Sequence, residues 1–283
     1  MDEYKGLVFL LKISFYQNLR ILKNEEIKDF PIKTSNWFQI YKISLQHGVY
    51  GIAYDGLEFL LKNNLIPQDE QPDVKLKMQW GGSVLLLEKR MHKQWSVANS
   101  LESSLRENGI KTIVLKGFSL GAYYPNPMHR FSSDIDICLL DKYEEGNVAA
   151  EKIGAKIEDG GYKHSHIYYK GQLIENHKYL TNFNNTRRGR LTEKYLRNLI
   201  ESSPKVTLEN SNLLSGSFEF NALFSLKHSY NNFIADDASL RHTLDWMLLL
   251  RKELPHINWD KFIEQLVNVH LSAPLFYRLI FSR

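Results

Sequence analysis

The sequence predicts an α+β protein, a small mixed β-sheet flanked by N-terminal and C-terminal helical regions. Two observations carry this. Apolar residues recur at three- and four-residue spacing at both ends of the 283-residue chain, and between them lie short β-branched runs bounded by Gly and Pro. The change of period divides the chain at 1–107, 108–205 and 206–283.

From Tyr4 to about Arg106 the spacing of Leu57, Phe59, Leu60 and Leu61, and of Leu85, Leu86, Leu87 and Met91, is that of amphipathic helices. Pro67, Gln71 and Pro72 interrupt it with a polar turn. Asn108-Gly109 then marks a change, and Lys111 to Lys116 reads as a strand ended by Gly117. Ser119 to Tyr124 begins a short helix that Pro125 and Pro127 stop. Asp134 to Leu140 is a second strand, and a helix is expected from Tyr143 to Asp159. After Gly160-Gly161, His164 to Tyr169 and Leu173 to Leu180 read as two strands joined through Gly171. From Ser217 onward the helical period returns, in Leu240, Leu244, Met247 and Leu248 and in Phe262, Leu266 and Val269. The last residues, Leu275 to Phe281, are apolar with helical spacing, which predicts that the natural polypeptide continues past Arg283.

No apolar run approaches the roughly 18 residues of a membrane span. The acidic start lacks the charge pattern of a signal peptide, so a cytoplasmic protein is expected. The single cysteine, Cys138, excludes an internal disulfide framework and a multi-cysteine zinc site. A formal charge of +4 is compatible with polyanionic partners such as nucleotides without requiring them. The densest basic stretch, Arg187, Arg188, Arg190, Lys194 and Arg197, reads either as a phosphate contact or as a solvated helix face. Trp37, Trp80, Trp95, Trp246 and Trp259 lie within helical apolar patterns and read as core.

The chemistry-bearing feature is Asp134-Ile135-Asp136. Strand alternation turns both carboxylates to one face and the isoleucines to the other. Like charges so close repel unless a divalent cation lies between them, and magnesium takes such oxygen ligands together with substrate phosphates. The plainer alternative is a polar strand facing water. Upstream, a turn at Gly117 opens a short helix with Ser119 in its first turn, a place where backbone N–H groups can meet phosphate. Lys116 and Arg130 would neutralise phosphate charge or, equally, form ion pairs with the aspartates.

These residues resemble a known family. Leu115-Lys116-Gly117 to Tyr124-Pro125, Arg130 and Asp134-Ile135-Asp136 look like the signature of an uncharacterised bacterial branch of the polymerase-β-like nucleotidyltransferases. Arg130 to Asp136 is also similar to nucleotidyltransferase toxins of bacterial toxin and antitoxin systems. The resemblance implies that the central sheet is a nucleotidyltransferase palm. It nominates Glu175, in Ile174-Glu175-Asn176-His177, as third carboxylate, with His177 on its face; His177 and His166 read either as proton-transfer groups or as structural histidines. Leu240-Arg241-His242 and Asp245 resemble a downstream helix of the same branch. The chain departs from better-known members in its long interval from Gly117 to Asp134, in Phe118 where a small residue is usual, and in Asn176 where an apolar one is usual.

The resemblance further implies two Mg2+ ions held by Asp134, Asp136 and Glu175, with Lys116, Gly117, Ser119 and Arg130 on an NTP such as ATP. It implies transfer of a nucleoside monophosphate to a hydroxyl, with pyrophosphate release. Glu175 would ligate the ion beside the acceptor and take its proton. A small molecule, a protein side chain or a tRNA end would each serve as acceptor. Two other readings stay open. Gly117-Phe118-Ser119-Leu120-Gly121 fits the nucleophile turn of serine hydrolases, with Asp245 and His256 or His270 in the right order, although the helical first third lacks the strands that fold requires. A non-catalytic nucleotide- or RNA-binding module would keep the fold without the chemistry.

Overall fold

The computed structural model describes residues 2–16, 36–182, 186–234, 239–253 and 257–269. His256, His270 and the segment from Leu275 to Phe281 lie outside them. The chain forms two compact units: residues 1–92 with 124–131 and 239–241, and residues 93–123 with 132–238 and 242–283. The second unit thus takes in both the central strands and the C-terminal helices.

The first unit is helical, as its apolar period dictates. It contains α1 (Asp2–Tyr16), α2 (Trp37–Gln46), α3 (Tyr50–Lys62) and the part of α4 (Val74–Glu107) up to His92. Asn36 caps α2 by accepting from the backbone N–H of Gln39. Leu7, Leu10, Ile13, Ile40, Leu57, Leu60, Trp80 and Leu87 form its core. Gly56 on α3 is where α1 comes closest, since a Cβ there would run into the Leu10 carbonyl.

One polar cluster sits in this unit. His129, at the end of the turn Pro127–His129, holds Asp55 Oδ2 2.8 Å from Nδ1 and Glu88 Oε1 2.9 Å from Nε2. Burial alone would lower its pKa, but the hydrogen bonds and charges of Asp55 and Glu88 outweigh this and raise it. The folded state therefore binds this proton more tightly than the unfolded one. Its stabilisation, about 1.5–3 kcal/mol for hydrogen bonds to charged groups, is fully present below the ordinary histidine value and is lost as pH rises through the raised one. The melting-temperature gap between wild type and His129→Ala is expected to shrink from about pH 6 to pH 9; a gap that does not change with pH would contradict this.

The second unit is built on a seven-stranded mixed sheet of order β3-β4-β5-β2-β1-β7-β6. The strands are β1 (Ile113–Leu115), β2 (Ile135–Cys138), β3 (Lys156–Asp159), β4 (His164–Tyr169), β5 (Gln172–His177), β6 (Val206–Thr207) and β7 (Leu214–Ser215). Among the described residues, this unit includes the helices α5 (Gly117–Gly121), α6 (Tyr143–Lys152), α7 (Arg187–Ser202), α8 (Phe218–Ile234) and α10 (Trp259–Asn268). It also holds most of α9 (Leu240–Glu253). Ile113, Leu115 and Cys138 pack with Leu196, Ile200, Phe220, Leu223, Leu249, Phe262 and Leu266 in one buried cluster. Among the described residues no helix is long and apolar enough to cross a membrane.

The observed elements correct the expected ones in three places. The helix expected from Tyr143 to Asp159 stops at Lys152, because Gly154 takes a positive φ of 87° and Lys156–Asp159 pairs with β4 instead. The strand expected from Asp134 to Leu140 is shorter, with Asp134 immediately before it and Leu140 at a positive φ of 56°. The strands β6 and β7 fall in a stretch read as non-strand, since two residues are too few to show a period.

Candidate active site

The site is assembled by strand register. Asp136 stands opposite Glu175 in the parallel β2–β5 pair, and Glu175 stands opposite His166 in the antiparallel β4–β5 pair, with His164 opposite His177. Alternation then turns Asp136, Glu175, His177, His164 and His166 to one face. Carboxylate oxygens of Asp134, Asp136 and Glu175 all lie within 4.8 Å of one another. On the opposite face Asn176 is fully buried and donates to Asn147 Oδ1 at 2.9 Å and to the Tyr143 carbonyl at 3.2 Å, which accounts for a polar residue at an apolar position.

Asp136 is the most constrained of the three. Its Oδ1 accepts from Lys116 Nζ at 2.7 Å and lies 2.7 Å from His177 Nε2. Burial would raise its pKa, yet the charge of Lys116 and the hydrogen bond from His177 hold it far below the usual carboxylate range. Asp134 is shifted the other way, by burial and then by the charge of Asp136, with Lys116 opposing. Glu175 is lowered, chiefly by His177, whose Nε2 stands 3.5 Å from Oε2. One carboxylate is thus fixed as an anion while its neighbour resists ionisation, the state expected of a cluster short of positive charge.

Lys116 closes β1 with φ 45° and ψ −105°, a conformation that L-residues rarely adopt, and thereby delivers its amine to Asp136. Gly117 follows, its Cα close enough to Ser132 that a Cβ would meet Oγ at 3.3 Å. Ser119 is turned inward: its hydroxyl lies 2.5 Å from Ser215 Oγ, bonds Asn221 Oδ1 at 3.1 Å, and the residue is 1% exposed. That hydroxyl ties the turn to β7 and α8, and a buried, doubly engaged serine is no nucleophile, which removes the basis of the hydrolase reading. Arg130 is 3% exposed, with Nη1 3.4 Å from the Phe131 carbonyl, and belongs to the first unit.

The basic stretch divides. Arg197 reaches the carbonyls of Leu140 and Lys178 and serves the fold, while Arg187, Arg188, Arg190 and Lys194 are exposed. Trp37, Trp80 and Trp246 are buried, in keeping with a core role. Sequence reasoning missed Lys163, His164 and His228. Lys163 is held down by burial and by the charge of Lys116, against the pull of Asp136 and Glu175. His228 on α8 is lowered well below its ordinary value by burial, then by Lys116. His164 is lowered by burial. None of the three occupies a recognised motif position, though the alternation of β4 puts His164 on the face of His166.

No curated protein matches the sequence. Similar solved structures include a solution structure of the antibiotic-resistance factor ANT(2'')-Ia, at TM-score 0.45 and 11% identity, covering 66% of this chain and 95% of that one. A crystal structure of ANT(2")-Ia in complex with adenylyl-2"-tobramycin follows, at TM-score 0.41 and 11% identity over 62% of this chain and 94% of that one. Residues 33–283 match the family described as uncharacterised nucleotidyltransferase. With the match covering nearly the whole chain, this protein belongs to that nucleotidyltransferase family.

Proposed function

We propose that the protein transfers a nucleoside monophosphate from an NTP to a hydroxyl of its acceptor and releases pyrophosphate, with divalent metal held by Asp134, Asp136 and Glu175. The observation that supports this best is the convergence of those three carboxylates within 4.8 Å. Their donor set is all oxygen, which suits magnesium, and burial, then the charge of Asp136, raise the pKa of Asp134, an opposition to its ionised form that a divalent ion would relieve. Bound there, the metal would supply Lewis-acid stabilisation of charge on the phosphates and lower the pKa of the acceptor hydroxyl.

The remaining work falls to this chain's own groups. Asp136, kept anionic by Lys116 and His177, is ready to ligate without first losing a proton. Glu175 is likewise favoured in its ionised form, chiefly by the hydrogen bond of His177, and would accept the hydroxyl proton. Lys116 neutralises negative charge on Asp136 and would do the same for the triphosphate if that carboxylate held metal. Gly117 keeps the turn beside it free of a side chain. Lys163 adds a second cation that senses both Asp136 and Glu175.

The test is a titration with each of the four NTPs, with and without Mg2+, on wild type and on the Asp134→Asn/Asp136→Asn double variant, read by melting temperature. A ligand at 100 times its Kd stabilises by about 2.7 kcal/mol, so a Mg2+-dependent rise of several degrees is expected in wild type and none in the variant. No rise in wild type at millimolar NTP with Mg2+ would remove this reading. Binding in wild type without incorporation into any acceptor would favour the non-catalytic module.

A further inference from the structure

Beside the three carboxylates stands a second group with different chemistry. Glu175 Oε2 is 3.6 Å from His164 Nδ1 and 3.5 Å from His177 Nε2, and one ligand atom from each of the three residues lies within 4.8 Å of the others. Two atoms bound to one tetrahedral ion at about 2.1 Å stand about 3.4 Å apart, while neighbours around an octahedral ion at that bond length stand about 3.0 Å apart. Both separations fit the tetrahedral edge. Two imidazoles and a carboxylate are also a ligand set that prefers a borderline transition ion to magnesium.

The surroundings of the two histidines match what metal ligands require. A ligating imidazole binds through one nitrogen and is oriented through the N–H of the other. His177 Nδ1 faces the Tyr179 carbonyl at 3.2 Å, and His164 Nε2 faces His166 Nε2 at 3.2 Å. Those contacts direct His177 Nε2 and His164 Nδ1 inward. His164 Nδ1 is moreover buried without a hydrogen-bond partner, a cost that a metal bond would remove. His177 would have to release Asp136 Oδ1, which keeps Lys116 at 2.7 Å.

We propose that His164, Glu175 and His177 form a binding site for a zinc-class transition ion, four-coordinate with one position open. The binding itself does not depend on the transferase reading. Its consequence does: Glu175 belongs to both groups, so an ion held by the histidines withdraws one carboxylate from the magnesium set and antagonises it.

The experiment uses the untagged full chain, stripped with chelator and titrated with Zn2+ alone by calorimetry, alongside His164→Ala and Asp134→Asn. One equivalent is expected in wild type, weakened at least tenfold in His164→Ala and retained in Asp134→Asn. Co2+ in the wild type gives an independent readout that needs no variant, since a four-coordinate nitrogen-ligated ion absorbs intensely in the visible and a six-coordinate oxygen-ligated one only weakly. Equal zinc affinity in wild type and His164→Ala, no binding at tens of micromolar Zn2+, or the weak six-coordinate spectrum would each overturn the proposal. Failure of Mg2+-dependent NTP binding would leave these readouts untouched, so the two proposals fail separately.

Discussion

Asp136→Asn is expected to lower nucleotidyl transfer by at least about a thousandfold, roughly 4 kcal/mol of transition-state stabilisation, and to destabilise the metal-free protein. Asp134→Asn is expected to lower transfer comparably while stabilising the metal-free protein. The opposite signs follow from the opposite shifts. Asp136 is an anion held by Lys116 and His177, so a neutral amide leaves two donors facing a group that cannot balance them. Asp134 is an anion opposed by burial and by Asp136, so its amide relieves repulsion.

The same shifts fix the pH dependence. The stabilisation from Asp136 is present above the unfolded carboxylate value and is lost as pH falls through the lowered folded one. For Asp134 the folded value is raised, so its favourable contribution is complete at low pH and is lost as pH rises through that value. Pyrophosphate release in single turnovers and melting curves without metal check both halves. Two variants that lose activity and move stability in the same direction would show that the carboxylates are not polarised in this way.

The strand that carries Asp134 and Asp136 was legible because its signal is local. Asp134 and Asp136 need only the alternation of one strand, whereas Glu175 was nominated through the family resemblance of Ile174-Glu175-Asn176-His177. Register was latent rather than visible. Lys170 and Gly171, at φ 47° and 71°, form the two-residue turn that sets Tyr169 opposite Gln172. Counting back from it brings His166 opposite Glu175 and His164 opposite His177. The histidine group was therefore encoded in the hairpin, but only a committed turn position would have exposed it.

What could not be read is whatever depends on contacts distant in sequence. Ser119 reads as part of a phosphate turn in its own motif; that its hydroxyl also engages Ser215 and Asn221, about a hundred residues later, is invisible there. Arg130 sits four residues before Asp134 yet belongs with the helical first unit, because the chain from 124 to 131 packs there. His129 likewise has no meaning in sequence until Asp55 and Glu88 arrive from two helices.

The second large effect is expected at Lys116. Its side chain is 15% exposed and bonds that of Asp136, which is 2% exposed, so Lys116→Ala leaves Asp136 buried and without its main counter-charge. Breaking such a pair costs about 3–5 kcal/mol. The backbone adds a second contribution, since φ 45° with ψ −105° strains any residue with a Cβ by about 1–3 kcal/mol. Glycine escapes that strain. Wild type, Lys116→Gly and Lys116→Ala should therefore unfold in that order of decreasing stability when metal is absent. Adding Mg2+ should narrow the gap between wild type and both variants, because an ion at Asp136 replaces the charge that the lysine supplied. Denaturant titrations with and without Mg2+ measure both effects. Equal stability of the glycine and alanine variants would show that the turn carries no strain, and a gap that Mg2+ leaves unchanged would show that the lysine and the metal do not meet at Asp136.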